Sequence, residues 1–401
     1  MESISYSTLW KAIIRPPRAN YKIADLGPFE LKLGGMRICR TDFAVKNKRG
    51  LNFVCSHFEP LESDRKWKEM PCVIYMHGNS SCRREALDCV PYILQSNMTL
   101  CCLDFPGCGL SDGEWISLGW HERDDIEVLI DYLREHRFVS TVGLWGRSMG
   151  AVTALLHGDR DPSIAGMVLD SPFSDLKTLV MELGATHTKI PKFLISTAMT
   201  FVRSSIRSRA DFDCYHLAPI EHVDKCFIPA LFATGNQDDF IKPHHTDELY
   251  KKYAGDKNVI KFEGDHNSTR PSFFFDSATI FFSTTLQVDI ILTDQNMMNQ
   301  EEKKQFIERM EVRRTAQKQF VVDEQAKKQK EKQGENYTNI DKALGLDGDE
   351  MMSLPGFDDY GMGGHFGGGF GNEDEALAAA IAASLQDMNP EPSGKSSGMQ
   401  H

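Results

Sequence analysis

Gly146-Arg147-Ser148-Met149-Gly150 sets a serine between two glycines. The run Thr141-Val142-Gly143-Leu144-Trp145 precedes it and reads as a buried strand, while Ala151-Val152-Thr153-Ala154-Leu155 follows and starts a helix. A strand that turns sharply into a helix at such a point presents the serine hydroxyl on strained backbone, and side chains two residues away on either side would collide. The chemistry open to that hydroxyl is attack on an acyl carbon, provided a base takes its proton. Of the 13 histidines, His266 is the candidate base, because Glu263-Gly264-Asp265-His266-Asn267 forms a loop after the last predicted strand. Ligands of parallel sheets sit at that strand end. His121, His136 and His157 fall in or near helical stretches, and His244 and His245 begin a helix after Pro243. The imidazole then needs a carboxylate to fix its tautomer. Asp238, just past a strand and a turn at Gly235, is the candidate; Asp239 beside it and Asp170 at an earlier strand end are the rivals. Backbone N–H donors for an oxyanion are expected from Met149, at the helix start, and from Asn79 in His77-Gly78-Asn79-Ser80-Ser81.

These residues must be positioned by a sheet. Short β-branched or aromatic runs alternate with amphipathic ones up to about residue 286, the pattern of a mostly parallel sheet covered by helices. Phe29 to Leu33, Arg37 to Val45 and Leu51 to His57 read as an antiparallel lead-in. Cys72 to His77, Thr99 to Asp104, Thr141 to Trp145, Gly166 to Asp170, Ile228 to Thr234 and Val259 to Phe262 read as the parallel strands. Among the helical stretches, Trp120 to Arg137 is clearest, with Ile126, Leu129, Ile130 and Leu133 at spacings of three and four. Residues 171–226 are long for one crossover and are expected to form a short helical cap. The remaining expected units are an N-terminal segment at 1–28, the α/β domain at 29–286 and an exposed charged helix at 298–335. A flexible acidic and Gly-rich linker at 336–371, a short helix at 372–388 and a disordered tail at 389–401 complete the chain.

Of the formal charge of −12, roughly −9 lies beyond residue 335, leaving a nearly neutral body without the basic stripe that nucleic acid requires. The ten cysteines lie in apolar or adjacent positions and read as free thiols of a reducing, cytoplasmic compartment. With no C-x-x-C pair and no H-E-x-x-H, no zinc ligand set is visible, and no metal or organic cofactor is expected. No apolar run reaches the ~18 residues of a membrane span, and no signal peptide is apparent. Leu9 to Arg15 is expected to pack on the core in preference to a membrane surface.

In combination, His77-Gly78-Asn79, Asp104-Phe105-Pro106-Gly107-Cys108-Gly109-Leu110-Ser111, Gly146 to Gly150, Gly235 to Asp238 and Gly264-Asp265-His266 resemble the α/β-hydrolase superfamily. Within it they are most similar to the intracellular serine-aminopeptidase-like, monoacylglycerol-lipase-like and thioesterase-like branch. The resemblance runs from about Arg37 to Phe282 and includes the chain order Ser, Asp, His. It implies a serine hydrolase acting on a small acyl or peptide substrate, with an ester, thioester or amide bond cleaved through an acyl-enzyme. A catalytically idle adaptor on the same fold is the alternative. The tail segment resembles a ubiquitin-interacting motif: the acids Glu373, Asp374 and Glu375 precede Leu377, Ala380, Ser384 and Asp387 at the motif's spacings, with aspartate where glutamate is more usual, and Ile381 continues the apolar stripe of Leu377. What this implies is a helix whose Ala380 packs on ubiquitin, whose Ser384 hydrogen-bonds its backbone, and whose acids meet its basic residues, making ubiquitin or ubiquitinated proteins a partner.

Overall fold

The computed structural model describes residues 6–187 and 192–311. Nine strands form one sheet among them: β1 (Glu30–Leu33), β2 (Met36–Lys46), β3 (Asn52–Pro60), β4 (Met70–Met76), β5 (Thr99–Leu103), β6 (Val139–Arg147), β7 (Ile164–Asp170), β8 (Ala230–Gly235) and β9 (Lys257–Phe262). Their order is β1-β2-β3-β5-β4-β6-β7-β8-β9. The first three strands are antiparallel and join β5 antiparallel, and from β5 to β9 every pairing is parallel. The expected lead-in and all six expected parallel strands are present.

Continuous burial explains why those strands read as unbroken apolar runs. Every residue of β4, β5 and β8 is buried, as befits parallel strands covered on both faces. Side chains alternate between two cores: Cys72, Ile74 and Met76 enter one, and Val73 and Tyr75 the other. Around the sheet lie α1 (Tyr6–Ile14), α2 (Val90–Gln95), α3 (Glu122–His136), α4 (Met149–Gly158), α5 (Leu176–His187), α6 (Lys192–Ala210), α7 (Pro243–Lys252), α8 (Ser272–Thr285) and α9 (Val288–Ile291). Leu129 of α3, Leu155 of α4 and Leu249 of α7 belong to the first core; Ile93 of α2 and Phe274 and Phe282 of α8 belong to the second. Helix α3 places Glu122, Asp124 and Asp125 in its first turn and Arg134 and His136 in its last, a distribution that complements the helix dipole.

Helices α5 and α6 occupy the long stretch between β7 and β8. Helix α1 docks on the first core through Leu9, Trp10, Ile13 and Ile14. Arg209 of α6 lies 4.3 Å above the Trp10 ring, and the Ile14 carbonyl accepts the Ile116 N–H at 2.9 Å. Past α9, residues 300–311 are helical and mostly exposed. Phe306 and Met310 are their buried anchors, with Phe306 set 4.9 Å from the Phe138 ring and under the Arg65 guanidinium. The rest of the charged stretch, the linker and the helix expected at 372–388 lie outside the described residues. No helix among the described residues is long and apolar enough to cross a membrane. All ten cysteines are buried and none is in a disulfide.

Candidate active site

Ser148 stands between the end of β6 and the start of α4 with φ 52° and ψ −115°. Such backbone costs a non-glycine residue on the order of 1–3 kcal/mol and persists only where its surroundings enforce it. The Ser148 N–H donates to the Asp170 carbonyl at the end of β7, at 2.7 Å. A Cβ on Gly146 would fall 2.2 Å from the Gly150 carbonyl oxygen, and one on Gly150 would fall 2.1 Å from that of Met76. The turn can therefore close only because both positions lack a side chain. Gly150→Ala is expected to lower stability by at least ~1–3 kcal/mol, since the obstacle is backbone and cannot rotate away. Calorimetric melting would show it; an unchanged melting temperature would contradict the tight-turn account.

His266 sits in the loop after β9, with its Nε2 3.1 Å from Ser148 Oγ. Its Nδ1 lies 2.7 Å from Asp238 Oδ2. Asp238 Oδ1 accepts the N–H groups of Phe240 (3.1 Å) and Ile241 (2.7 Å), which fixes the carboxylate plane. All three residues are buried. With Nδ1–H donated to Asp238, Nε2 is left with its lone pair facing the serine proton. The rivals are placed elsewhere. Asp239 is exposed. Asp170 is held by Arg270, Nε to Oδ2 at 2.8 Å and Nη2 to Oδ1 at 3.1 Å, and by the Ser171 hydroxyl at 3.0 Å. Burial opposes ionisation of Asp170, but the Arg270 charge, its hydrogen bonds and Arg147 outweigh it and hold the pKa below the ordinary value.

Asp170 and Arg270 serve His266 from behind. The His266 carbonyl accepts Arg270 Nη2 at 3.1 Å and Arg147 Nη2 at 2.9 Å. Two arginines thus hold the loop that carries the imidazole. Asp265 Oδ1 tightens it further by accepting the N–H groups of Asn267 (2.9 Å) and Ser268 (2.7 Å). Neither arginine is marked by spacing or periodicity, although Arg147 lies inside the five-residue motif itself.

Opposite the histidine loop, β4 runs into His77-Gly78-Asn79. His77 Nδ1–H donates to the Gly78 carbonyl at 2.6 Å and Nε2 accepts the Phe105 N–H at 3.2 Å, so this histidine joins the ends of β4 and β5. Glu85 accepts the Gly78 N–H at 3.2 Å and the Tyr75 hydroxyl at 2.9 Å. The Asp104 carboxylate organises the neighbouring loop through Tyr21, the Arg83 N–H and the Leu110 N–H, and Gly109 leaves room for it. Asn79 and Met149 line one cavity with Ser148. Its apolar wall comes largely from α5, where Leu176, Leu179, Val180 and Leu183 form one helical stripe, and Ile13 of α1 joins them. The Ile13 contribution spans the whole domain in sequence and carries no local signal.

The sheet order, the strained serine between β6 and α4, and the acid and histidine loops after β8 and β9 together decide the architecture. The chain has the α/β-hydrolase fold. Residues 68–215 match the family described as serine aminopeptidase, S33. An uncharacterized Bacillus subtilis protein, YqkD, is 26% identical over 234 residues, 57% of this chain and 73% of the relative. The Arabidopsis thaliana α/β-hydrolase domain-containing protein WAV2 is 23% identical over 229 residues, 54% of this chain and 69% of that protein. Among solved structures, the Pyrococcus furiosus esterase Pf2001 superposes with a TM-score of 0.52 at 18% identity, covering 68% of this chain and 98% of the esterase. An acetyl xylan esterase from Paenibacillus sp. R4 gives 0.50 at 15% identity, covering 69% and 98%.

Proposed function

We propose that this α/β-hydrolase is a serine hydrolase that cleaves an ester, thioester or amide through an acyl-enzyme. The observation that carries this reading is the buried chain from Ser148 Oγ to His266 Nε2 (3.1 Å) and from Nδ1 to Asp238 (2.7 Å). In the proposed sequence His266 takes the Ser148 proton as Oγ attacks the acyl carbon. The Asn79 and Met149 N–H groups receive the oxyanion, and His266 returns the proton to the leaving group. Water activated by the same histidine then releases the acid. These steps need no metal or organic cofactor. The apolar stripe of α5 over Ser148 favours a substrate with a hydrophobic acyl group. That none of the ten cysteines is in a disulfide suits action in the cytoplasm.

A fluorophosphonate probe tests this directly. The wild-type protein is expected to be labelled on Ser148, and Ser148→Ala to remain unlabelled; equal labelling of the two would sink the reading.

The tail supports a second element, coupling to ubiquitin. Leu377, Ala380, Ile381 and Ser384 lie outside the described residues, and the motif spacing is what supports the reading. Ala380→Gly combined with Ser384→Ala is expected to weaken ubiquitin binding roughly tenfold or more in a titration. Unchanged affinity would remove ubiquitin as a partner of this helix.

A further inference from the structure

If Ser148 is to use both the turn after β4, which carries Asn79, and the loop after β9, which carries His266, the distance between the two must be fixed. One pair of side chains spans it. Arg147, the last residue of β6, donates from Nη2 to the His266 carbonyl at 2.9 Å and sets Nη1 3.7 Å from Glu85 Oε1. Glu85, on the short helical turn Arg83–Cys89, reaches back to accept the Gly78 N–H on Oε2 at 3.2 Å and the Tyr75 hydroxyl on Oε1 at 2.9 Å. Only 21% of the Arg147 side chain and 11% of the Glu85 side chain are exposed, so solvent screens the pair weakly.

Gly78 is where this bridge meets the nucleophile. A Cβ there would stand 3.7 Å from Ser148 Cβ, 3.8 Å from the Arg147 carbonyl oxygen and 3.8 Å from Glu85 Oε2. The bond to Glu85 fixes the peptide before Gly78. The peptide after it is fixed through the Gly78 carbonyl, which accepts His77 Nδ1–H at 2.6 Å and the Ser81 N–H at 3.3 Å. That second peptide contains the Asn79 N–H, which points opposite to its carbonyl because a trans peptide is planar. Charge enters as well. A carboxylate beside the proposed oxyanion site opposes the negative charge that develops there, and the Arg147 cation offsets it. A guanidinium suits the position because its rigid fork presents two nitrogens to two partners at once.

We propose that Glu85 and Arg147 are positioning residues that lock the Asn79 turn to the His266 loop, so that oxyanion donor and base are in register around Ser148 before substrate arrives. Their role, which rests on the hydrolase reading above, requires neither side chain to touch a reacting atom. Arg147 lies beside Ser148 in the chain, whereas Glu85 reaches it only through the pairing of β4 with β6. A salt bridge that served stability alone would shift the melting temperature and leave the balance of kcat against KM untouched. A bridge that sets the register acts on the transition state, where the oxyanion and the protonated imidazole exist together.

The test measures initial rates of the full-length protein on a p-nitrophenyl ester that wild type cleaves. Glu85→Gln keeps the side-chain shape and an oxygen for the Gly78 N–H but lacks the charge; kcat is expected to fall roughly tenfold with KM within about twofold of wild type. Arg147→Met should fall further, to about a hundredth of wild type, because it releases the His266 carbonyl and leaves the Glu85 carboxylate without its counter-charge. The double variant is expected to be no slower than Arg147→Met alone, since Glu85→Gln then removes the uncompensated charge. An alkyl trifluoromethyl ketone, whose adduct with Ser148 carries the oxyanion, should bind Glu85→Gln roughly tenfold more weakly than wild type, while the alkyl alcohol of the same length binds both alike. Circular dichroism checks folding. If Glu85→Gln does not fold, Arg147→Lys, which can serve one partner but not both, is expected to show the same loss in kcat. Unchanged kcat in the folded variants, equal loss of affinity for ketone and alcohol, or losses that multiply in the double variant would overturn the proposal. A wild type that fluorophosphonate does not label sinks the hydrolase reading and the pair's role with it; a labelled wild type whose variants are unaffected sinks the pair's role alone.

Discussion

Ser148→Ala and His266→Ala are each expected to lower kcat by on the order of 10⁶, and the double variant to be no worse than either. The reason is that the two groups act as one: without the imidazole the hydroxyl keeps its proton, and without the hydroxyl the imidazole has no proton to take. Their separation of 3.1 Å already permits that transfer. Initial rates on a p-nitrophenyl ester that wild type cleaves provide the measurement, with circular dichroism to verify folding. A His266→Ala enzyme within about tenfold of wild type would remove His266 as the base. Losses that multiply in the double variant would show that the pair does not act as a unit. The proposed oxyanion donors are backbone groups, so some rate above the uncatalysed reaction is expected to survive in all three variants.

Several parts of this arrangement are legible in the sequence because local physics dictates them. The parallel strands are buried on both faces, so β4, β5 and β8 leave near-continuous apolar runs. Gly146 and Gly150 are dictated by contacts near 2 Å that any Cβ would make. Residues that act through long-range pairing leave no such mark. Ile13 reaches the cavity from the far end of the chain, and Arg270 matters because the fold brings it to Asp170.

Asp238 and Asp170 show where sequence alone reaches its limit, since both follow parallel strands and either would suit an imidazole. The structure places them against different partners, Asp238 against His266 and Asp170 against Arg270, and under the proposed function their asparagine variants should differ in which observable moves. Asp238→Asn keeps the shape of a side chain that receives two backbone N–H groups, but it can no longer hold the charge of a protonated His266. A fall in kcat on the order of 10⁴ is expected, with KM and melting temperature little changed. Asp170→Asn instead leaves the buried Arg270 guanidinium without its counter-charge, a loss of about 3–5 kcal/mol in stability. Its pH signature has a definite sign. The folded pKa of Asp170 lies below the ordinary 3.8, so its stabilisation is complete above that value and is lost as pH falls through the folded pKa. Acid unfolding of wild type should include this loss, and Asp170→Asn should show a correspondingly shallower acid limb. A reversed pattern, with Asp170→Asn stable but slow and Asp238→Asn active but unstable, would exchange the two roles. Because Arg270 also holds the His266 carbonyl, Asp170→Asn should lose some activity too. Assayed well below its melting temperature, Asp170→Asn should nonetheless lose far less activity than Asp238→Asn, whose deficit lies in the reacting groups themselves.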